Sequence, residues 1–266
     1  MSDTFFATAR PPPSLAASRE RLVEFVGREC SVPIVCVTSG GTTVPLERNT
    51  VRFIDNFSTG NRGASSAERF LEEGYAVIFL HREQSAFPFA RKLVPPSISP
   101  MDWLMQAGSV GRAQADAASQ FSRHAPRLLA VSFTTVFDYL FLLREAACAM
   151  APVGDRALIY LAAAVSDFYV PEEEMAEHKI QSSTGTAEHV PGGLVVKLWP
   201  VPKLLGSIKA AWATGAFLVS FKLETNRWVG CPLLGSDSRQ GRHEHVPSIP
   251  LQVDPAGEGR SVNCKV

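Results

Sequence analysis

The sequence predicts a three-layer α/β fold, with helices covering both faces of a mainly parallel sheet. Three observations lead there. Short apolar runs alternate with helical patterns through most of the chain. Those runs are apolar nearly throughout, as strands buried on both faces must be. The first of them ends directly in a glycine turn, the opening of many nucleotide-binding sheets. The expected architecture is therefore Rossmann-like.

Residues 1–20 carry Pro11, Pro12 and Pro13 and read as a mobile leader. A helix is expected near Arg21–Arg28, then a strand at Ile34-Val35-Cys36-Val37. Thr38-Ser39-Gly40-Gly41-Thr42 makes the glycine turn. A second turn, Asn56-Phe57-Ser58-Thr59-Gly60-Asn61-Arg62-Gly63, runs into a helix whose apolar face is Ala64, Ala67, Phe70 and Leu71. Gly74 stops that helix and Ala76–Leu80 is a strand. Residues 91–126 hold Pro95, Pro96 and Pro100, and an Ala/Ser/Gln-rich stretch that suits a surface helix. Leu128–Phe133, Leu158–Ala163 and Phe217–Phe221 read as strands, Val136–Met150 and Lys203–Trp212 as helices. Pro191-Gly192-Gly193 turns into a further strand at Leu194–Leu198. The domain is expected to span residues 21–225. Residues 226–266 keep neither period and read as an irregular, disordered tail, which leaves the C-terminal part of the fold incomplete.

Bulk properties exclude some functions. Lys+Arg and Asp+Glu each total 26 in 266 residues, so no net charge draws nucleic acid or an anionic membrane from a distance. The longest apolar stretch, Ala157–Val165, is far too short to cross a bilayer. The five cysteines form no C-x-x-C pair and suit reduced thiols in the cytoplasm. Asp3 and Glu20 argue against an organelle transit segment, and the leader lacks the apolar core of a signal peptide.

Chemistry concentrates at strand ends. Gly60-x-x-Gly63 at a helix mouth lets backbone N–H groups approach a phosphate, with Ser58 as a hydroxyl donor. Ser39-Gly40-Gly41-Thr42 is a second such loop, although a plain βα turn has the same appearance. Neither loop is a Walker A motif, and the G-x-G-x-x-G fingerprint is missing, which disfavours an NAD(P)-dependent oxidoreductase. Ala162-Ala163-Ala164 ends a strand in small side chains, and Asp167 follows as a hydrogen-bond acceptor or a turn cap. Lys179 is a cation shortly after that strand; Lys203, Lys209 and Lys222 share its ambiguity. His243 and His245 with Cys231 and Cys264 match no zinc spacing, so no protein-ligated metal is expected.

These stretches, in order, resemble phosphopantothenate–cysteine ligase of the eukaryotic type. The resemblance rests on Val37–Thr42, Val44–Glu47, Val51–Gly60, Arg62-Gly63-Ala64, Ser85–Pro88, Tyr160–Pro171, Glu177–Ser182, Val201–Leu205 and Ser220–Thr225. It implies a cytoplasmic homodimer of coenzyme A synthesis that joins 4′-phosphopantothenate to cysteine. ATP with Mg2+ would activate the carboxylate as an acyl-adenylate. Gly40, Ser58, Gly60 and Gly63 would line the phosphates, and Phe221 would lie against the nucleotide. Asn56 would contact the activated carboxyl. Ala163, Ala164 and Asp167 would hold the pantothenate arm. Lys179 would neutralise phosphate or assist the second half-reaction, and Arg52 would contact phosphate. After Thr225 the family's further helix and its strand bearing a nucleotide-contacting Asn are not recognisable. The resemblance therefore leaves an alternative: a truncated, non-catalytic isoform that binds nucleotide weakly or pairs with a full-length subunit.

Overall fold

The computed structural model describes residues 2–91, 93, 107–181, 194–222, 252–253 and 261–265. The chain opens with α1 (Ser2–Thr8) and α2 (Leu15–Arg28), then β1 (Ile34–Ser39). A hairpin of β2 (Thr43–Pro45) and β3 (Phe53–Asp55) precedes α3 (Asn61–Glu72) and β4 (Ala76–Arg82). Next come α4 (Ala107–His124), β5 (Leu128–Phe133), α5 (Val136–Met150) and β6 (Ala157–Leu161). β7 (Phe168–Tyr169) pairs with β8 (Trp199–Pro200), and α6 (Leu205–Ser207) continues as a π-helical turn, Ile208–Trp212. β9 (Phe217–Lys222), β10 (Gln252–Val253) and β11 (Ser261–Lys265) complete the elements.

The sheet runs β10-β11-β9-β6-β1-β4-β5, parallel at every junction except β10 with β11. The mainly parallel α/β expectation holds. The chain steps from β1 outward through β4 to β5, then returns to the other side of β1 as β6. That reversal is a topological switch point, where open α/β sheets leave a crevice at the strands' carboxyl ends.

Period-two alternation in β1 and β4 builds two cores at once. Ile34, Cys36, Ala76, Ile78 and Leu80 face α2 and α5, packing with Leu22, Phe25, Leu140 and Ala147. Val35, Val37, Val77 and Phe79 face α3 and meet Ala64, Ala67 and Leu71. Burial on both faces explains why these strands are apolar throughout. It also pushes the Cys36 thiol up to about 12 and leaves it inert. Thr135 caps α5 with a full capping box: its hydroxyl accepts from Asp138 N–H, and the Asp138 carboxylate accepts in return.

Four expectations differ from the structure. In place of a mobile leader, α1 and α2 pack on the core, and Phe5 is only 3% exposed. Its ring lies 5.9 Å from Phe137 and 5.5 Å from Tyr169, while Phe6 meets Phe141 at 5.1 Å. Two adjacent aromatics outweigh the proline run, which merely joins the two helices. Leu194–Leu198 joins no ladder; its leucines and valines stay exposed, and pairing begins only at Trp199. The helix expected from Lys203 begins at Leu205. The tail was expected to be irregular, yet β11 pairs in parallel with β9, because the edge of β9 offers unpaired backbone groups. Pro95, Pro96, Pro100, Pro191-Gly192-Gly193, Cys231, His243 and His245 lie outside the described residues.

Phe5→Ala is expected to cost about 3 kcal/mol, the usual cost of emptying a buried aromatic site. Urea denaturation should show a lower midpoint, and an unchanged midpoint would contradict docking of α1.

Candidate functional site

The carboxyl end of β1 is held in a knot of backbone contacts. Ala164 N–H donates to Gly40 C=O at 2.8 Å, and Thr42 N–H donates to Ala164 C=O at 3.1 Å. Asn56 N–H donates to Thr42 C=O at 3.0 Å. Buried hydroxyls tighten the same crossing: Thr38 Oγ1 accepts from Ala163 N–H at 3.1 Å and Thr42 Oγ1 from Ser166 N–H at 3.0 Å. A β-carbon on Gly41 would overlap the Asn56 carbonyl, so only glycine permits this approach. The Asn56 side chain reaches the Val165 carbonyl at 3.5 Å. Asn56, Ala163 and Ala164 are thus brought together.

The second glycine loop docks on the first. Ser39 Oγ donates to Gly60 C=O at 2.9 Å, and Gly60 N–H donates to Ser58 Oγ at 3.3 Å. A β-carbon on Gly63 would run into the Ser39 side chain. Gly63 therefore seats the first turn of α3 on the end of β1. The N-cap of α3, Gly60, offers no side-chain cap, and Asn61 N–H makes only a long 3.5 Å contact with Thr59 Oγ1, so this helix start suits an anion. Gly40, Ser58, Gly60 and Gly63 thus cluster around Ser39 and Ser85. Beside them, Asp55, Ser58, Arg82, Glu83 and Ser85 help line a hollow of about 370 Å³, with Arg82 paired to Asp55 at 2.6 Å. Phe221, at the end of β9, packs against Tyr160 at 5.1 Å, and the Arg62 guanidinium sits 4.9 Å over its ring. Asp167 is exposed, and its carbonyl accepts from Val201 N–H.

Lys179 lies elsewhere. It is exposed along an open groove of about 690 Å³ with Leu46, Met175 and Lys197. Its segment is tied to the loop before β3. Arg52 Nη2 donates to Ile180 C=O at 2.8 Å, and Arg48 N–H to Ala176 C=O at 2.9 Å. At the centre is Glu47, fully buried, accepting from the N–H groups of Val51, Arg52 and Ile180. Burial alone would raise its pKa. The three N–H donors and the Arg52 guanidinium overcome that and hold the carboxyl below the usual range.

Sequence reasoning gave no role to Ser39, Glu47, Arg62 or Arg82. Ser39 and Arg62 flank glycines already singled out, and could have been found there. Glu47 offers no such signal, since nothing local marks a glutamate as buried. Among the described residues no three His, Cys, Asp or Glu side chains converge on a metal position. No described helix is long and apolar enough to cross a membrane.

An open parallel sheet, with its glycine loops and small-residue strand end gathered at the switch point, defines a Rossmann-like protein with its ligand face at the strands' carboxyl ends. No family model matches the chain. It is 47% identical over 230 residues to human phosphopantothenate–cysteine ligase, covering 81% of this chain and 72% of that protein. It is 42% identical over 240 residues to ligase 2 of rice, covering 85% and 72%. A solved Cab2 mutant in complex with phosphopantothenate-cysteine superposes with a TM-score of 0.71 at 42% identity, over 85% of this chain and 76% of that one. The chain belongs to the phosphopantothenate–cysteine ligase family.

Gly63→Ala should lower stability by about 1–3 kcal/mol, since the overpacked contact with Ser39 cannot relax without moving α3 or β1. A thermal melt within 1 °C of wild type would contradict that approach, the expected drop being several degrees. The Glu47 carboxyl titrates lower in the folded chain than in the unfolded one. Its stabilisation is therefore complete above the unfolded value, about 4.3, and is lost as pH falls through the folded value. Urea denaturation across the acid range should show a shallower acid limb for Glu47→Gln than for wild type.

Proposed function

We propose that this chain joins 4′-phosphopantothenate to cysteine through an acyl-adenylate. The observation that carries the reading is the knot at Gly41. There the Asn56 backbone, the Ala163–Ala164 strand end and the first glycine turn meet in hydrogen bonds, with the second glycine loop docked alongside, and this convergence supports the reading. In the first half-reaction a carboxylate oxygen of phosphopantothenate attacks the α-phosphorus of ATP, and pyrophosphate leaves. In the second, the cysteine amine attacks the acyl carbon, loses a proton, and AMP leaves with that oxygen.

The residues divide this work. Gly40, Ser58, Gly60, Gly63 and the first turn of α3 would receive the nucleotide phosphates, and Phe221 would lie against the nucleotide. The Asn56 amide would donate to the activated carboxyl and stabilise the acyl-adenylate, whose acyl oxygen gains charge when the cysteine amine attacks. Ala163 and Ala164 would align the pantothenate arm and Asp167 would anchor its polar groups. Arg52 and Lys179 would meet phosphate charge. Mg2+ would arrive with the nucleotide and take its ligands chiefly from phosphate and water. Asp55 and Glu83, which line the hollow beside the glycine loops, carry carboxylates that would suit it. Its chemistry would be to neutralise the polyphosphate.

A homodimer in the cytoplasm completes the reading. Val51 and Phe53 are more than half exposed near the β2–β3 hairpin, as is Phe168 of β7, and Phe57 is 82% exposed. Apolar surface of that kind suits burial against a second chain.

Pyrophosphate release by the purified chain should require both ATP and phosphopantothenate. No release from a protein folded by circular dichroism would instead support the non-catalytic form. Asn56→Ala should cut turnover by about 10²–10³-fold or more; wild-type turnover in that variant would remove Asn56 from the mechanism.

A further inference from the structure

Glu47 is the one fully buried carboxylate among the described residues. A charge there needs a reason, because removing it from water is costly unless partners replace the solvent. Its partners come from two separate stretches of chain. Oε2 accepts from Arg52 N–H at 3.0 Å and Val51 N–H at 3.3 Å, both in the turn that leads into β3. Oε1 accepts from Ile180 N–H at 3.4 Å and lies 3.9 Å from Arg52 Nη1. The backbone of Glu47 bridges to Ala176, and Arg52 Nη2 closes the ring on the Ile180 carbonyl. Ile180 directly follows Lys179. Arg52 lies four residues before Asn56, with β3 between them.

We propose that Glu47 is a positioning residue: its buried carboxylate clamps the Arg52 turn and the Lys179 segment together, so that two cations are presented at a fixed separation to the phosphorylated substrate. The proposal rests on the ligase reading for what the cations meet, but the clamp itself can be tested without turnover. An isosteric amide cannot replace the carboxylate. Glu47→Gln keeps one acceptor and turns an N–H₂ group toward N–H donors, leaving at least one of them buried and unpaired.

The test is amide hydrogen exchange on the full chain, with steady-state kinetics alongside. Glu47→Gln should exchange about tenfold faster, or more, at residues 48–52 and 176–181, while α3 and β1 exchange as in wild type. KM for phosphopantothenate should rise or kcat fall by about tenfold, with ATP affinity within about twofold. Unchanged exchange at 176–181, or equal loosening throughout the protein, would overturn the clamp. Should Glu47→Gln fail to fold, Glu47→Asp carries the test. It keeps the charge but is one methylene shorter, so the long bond to Ile180 goes first. Residues 176–181 should then exchange faster while 48–52 change less; wild-type exchange and KM in Glu47→Asp would overturn the proposal. If wild type releases no pyrophosphate, the ligase reading fails, and the exchange arm still decides the clamp.

Discussion

The carboxyl end of β1 is a three-way backbone junction, and the rest of the site is arranged around it. Gly40 and Thr42, on either side of Gly41, exchange hydrogen bonds with Ala164, and Thr42 accepts one from Asn56 on the other side. No side chain fits at Gly41, because the Asn56 carbonyl occupies that space. One missing β-carbon therefore lets three chain segments meet within hydrogen-bond distance. The sheet supplies the reason for the meeting point: β1 lies where the strand order reverses, with β4 on one side and β6 on the other.

The junction needs rigid support, and it has it. β1 and β4 are buried on both faces, with Ile34 and Cys36 in one core and Val35 and Val37 in the other. Side chains interlocked on both sides leave β1 little freedom to slide, since interiors are packed like crystals. α3 is seated on the end of β1 through Gly63 and Ser39, so the two glycine loops inherit the position of the strand. The Lys179 segment belongs to a different mechanical unit. It is hung on the β2–β3 hairpin through Glu47 rather than on the sheet.

This division explains how much was legible in the sequence. The buried strands announce themselves, because burial on both faces demands the apolar runs seen at Ile34–Val37 and Ala76–Leu80. The glycine loops are equally visible, since close approach and turns demand glycine. Both features are local. The docking of Phe5 and Phe6 is not: it depends on Phe137, Phe141 and Tyr169, which are remote in sequence. The alternating character of Leu194–Leu198 misleads for the same reason, because a strand also needs a partner edge, and the ladder starts at Trp199. Glu47 is the clearest case. Its charge reads as surface, and its burial needs the remote Ile180 N–H as well as the donors of its own turn, Val51 and Arg52.

The central claim is that this site activates a carboxylate by bonding one of its oxygens to phosphorus. Phosphopantothenate labelled with ¹⁸O in its carboxylate tests that directly, with AMP analysed by mass spectrometry after turnover with ATP and cysteine. The account predicts one ¹⁸O atom in each AMP released. Unlabelled AMP formed alongside the phosphopantothenate–cysteine product would contradict it.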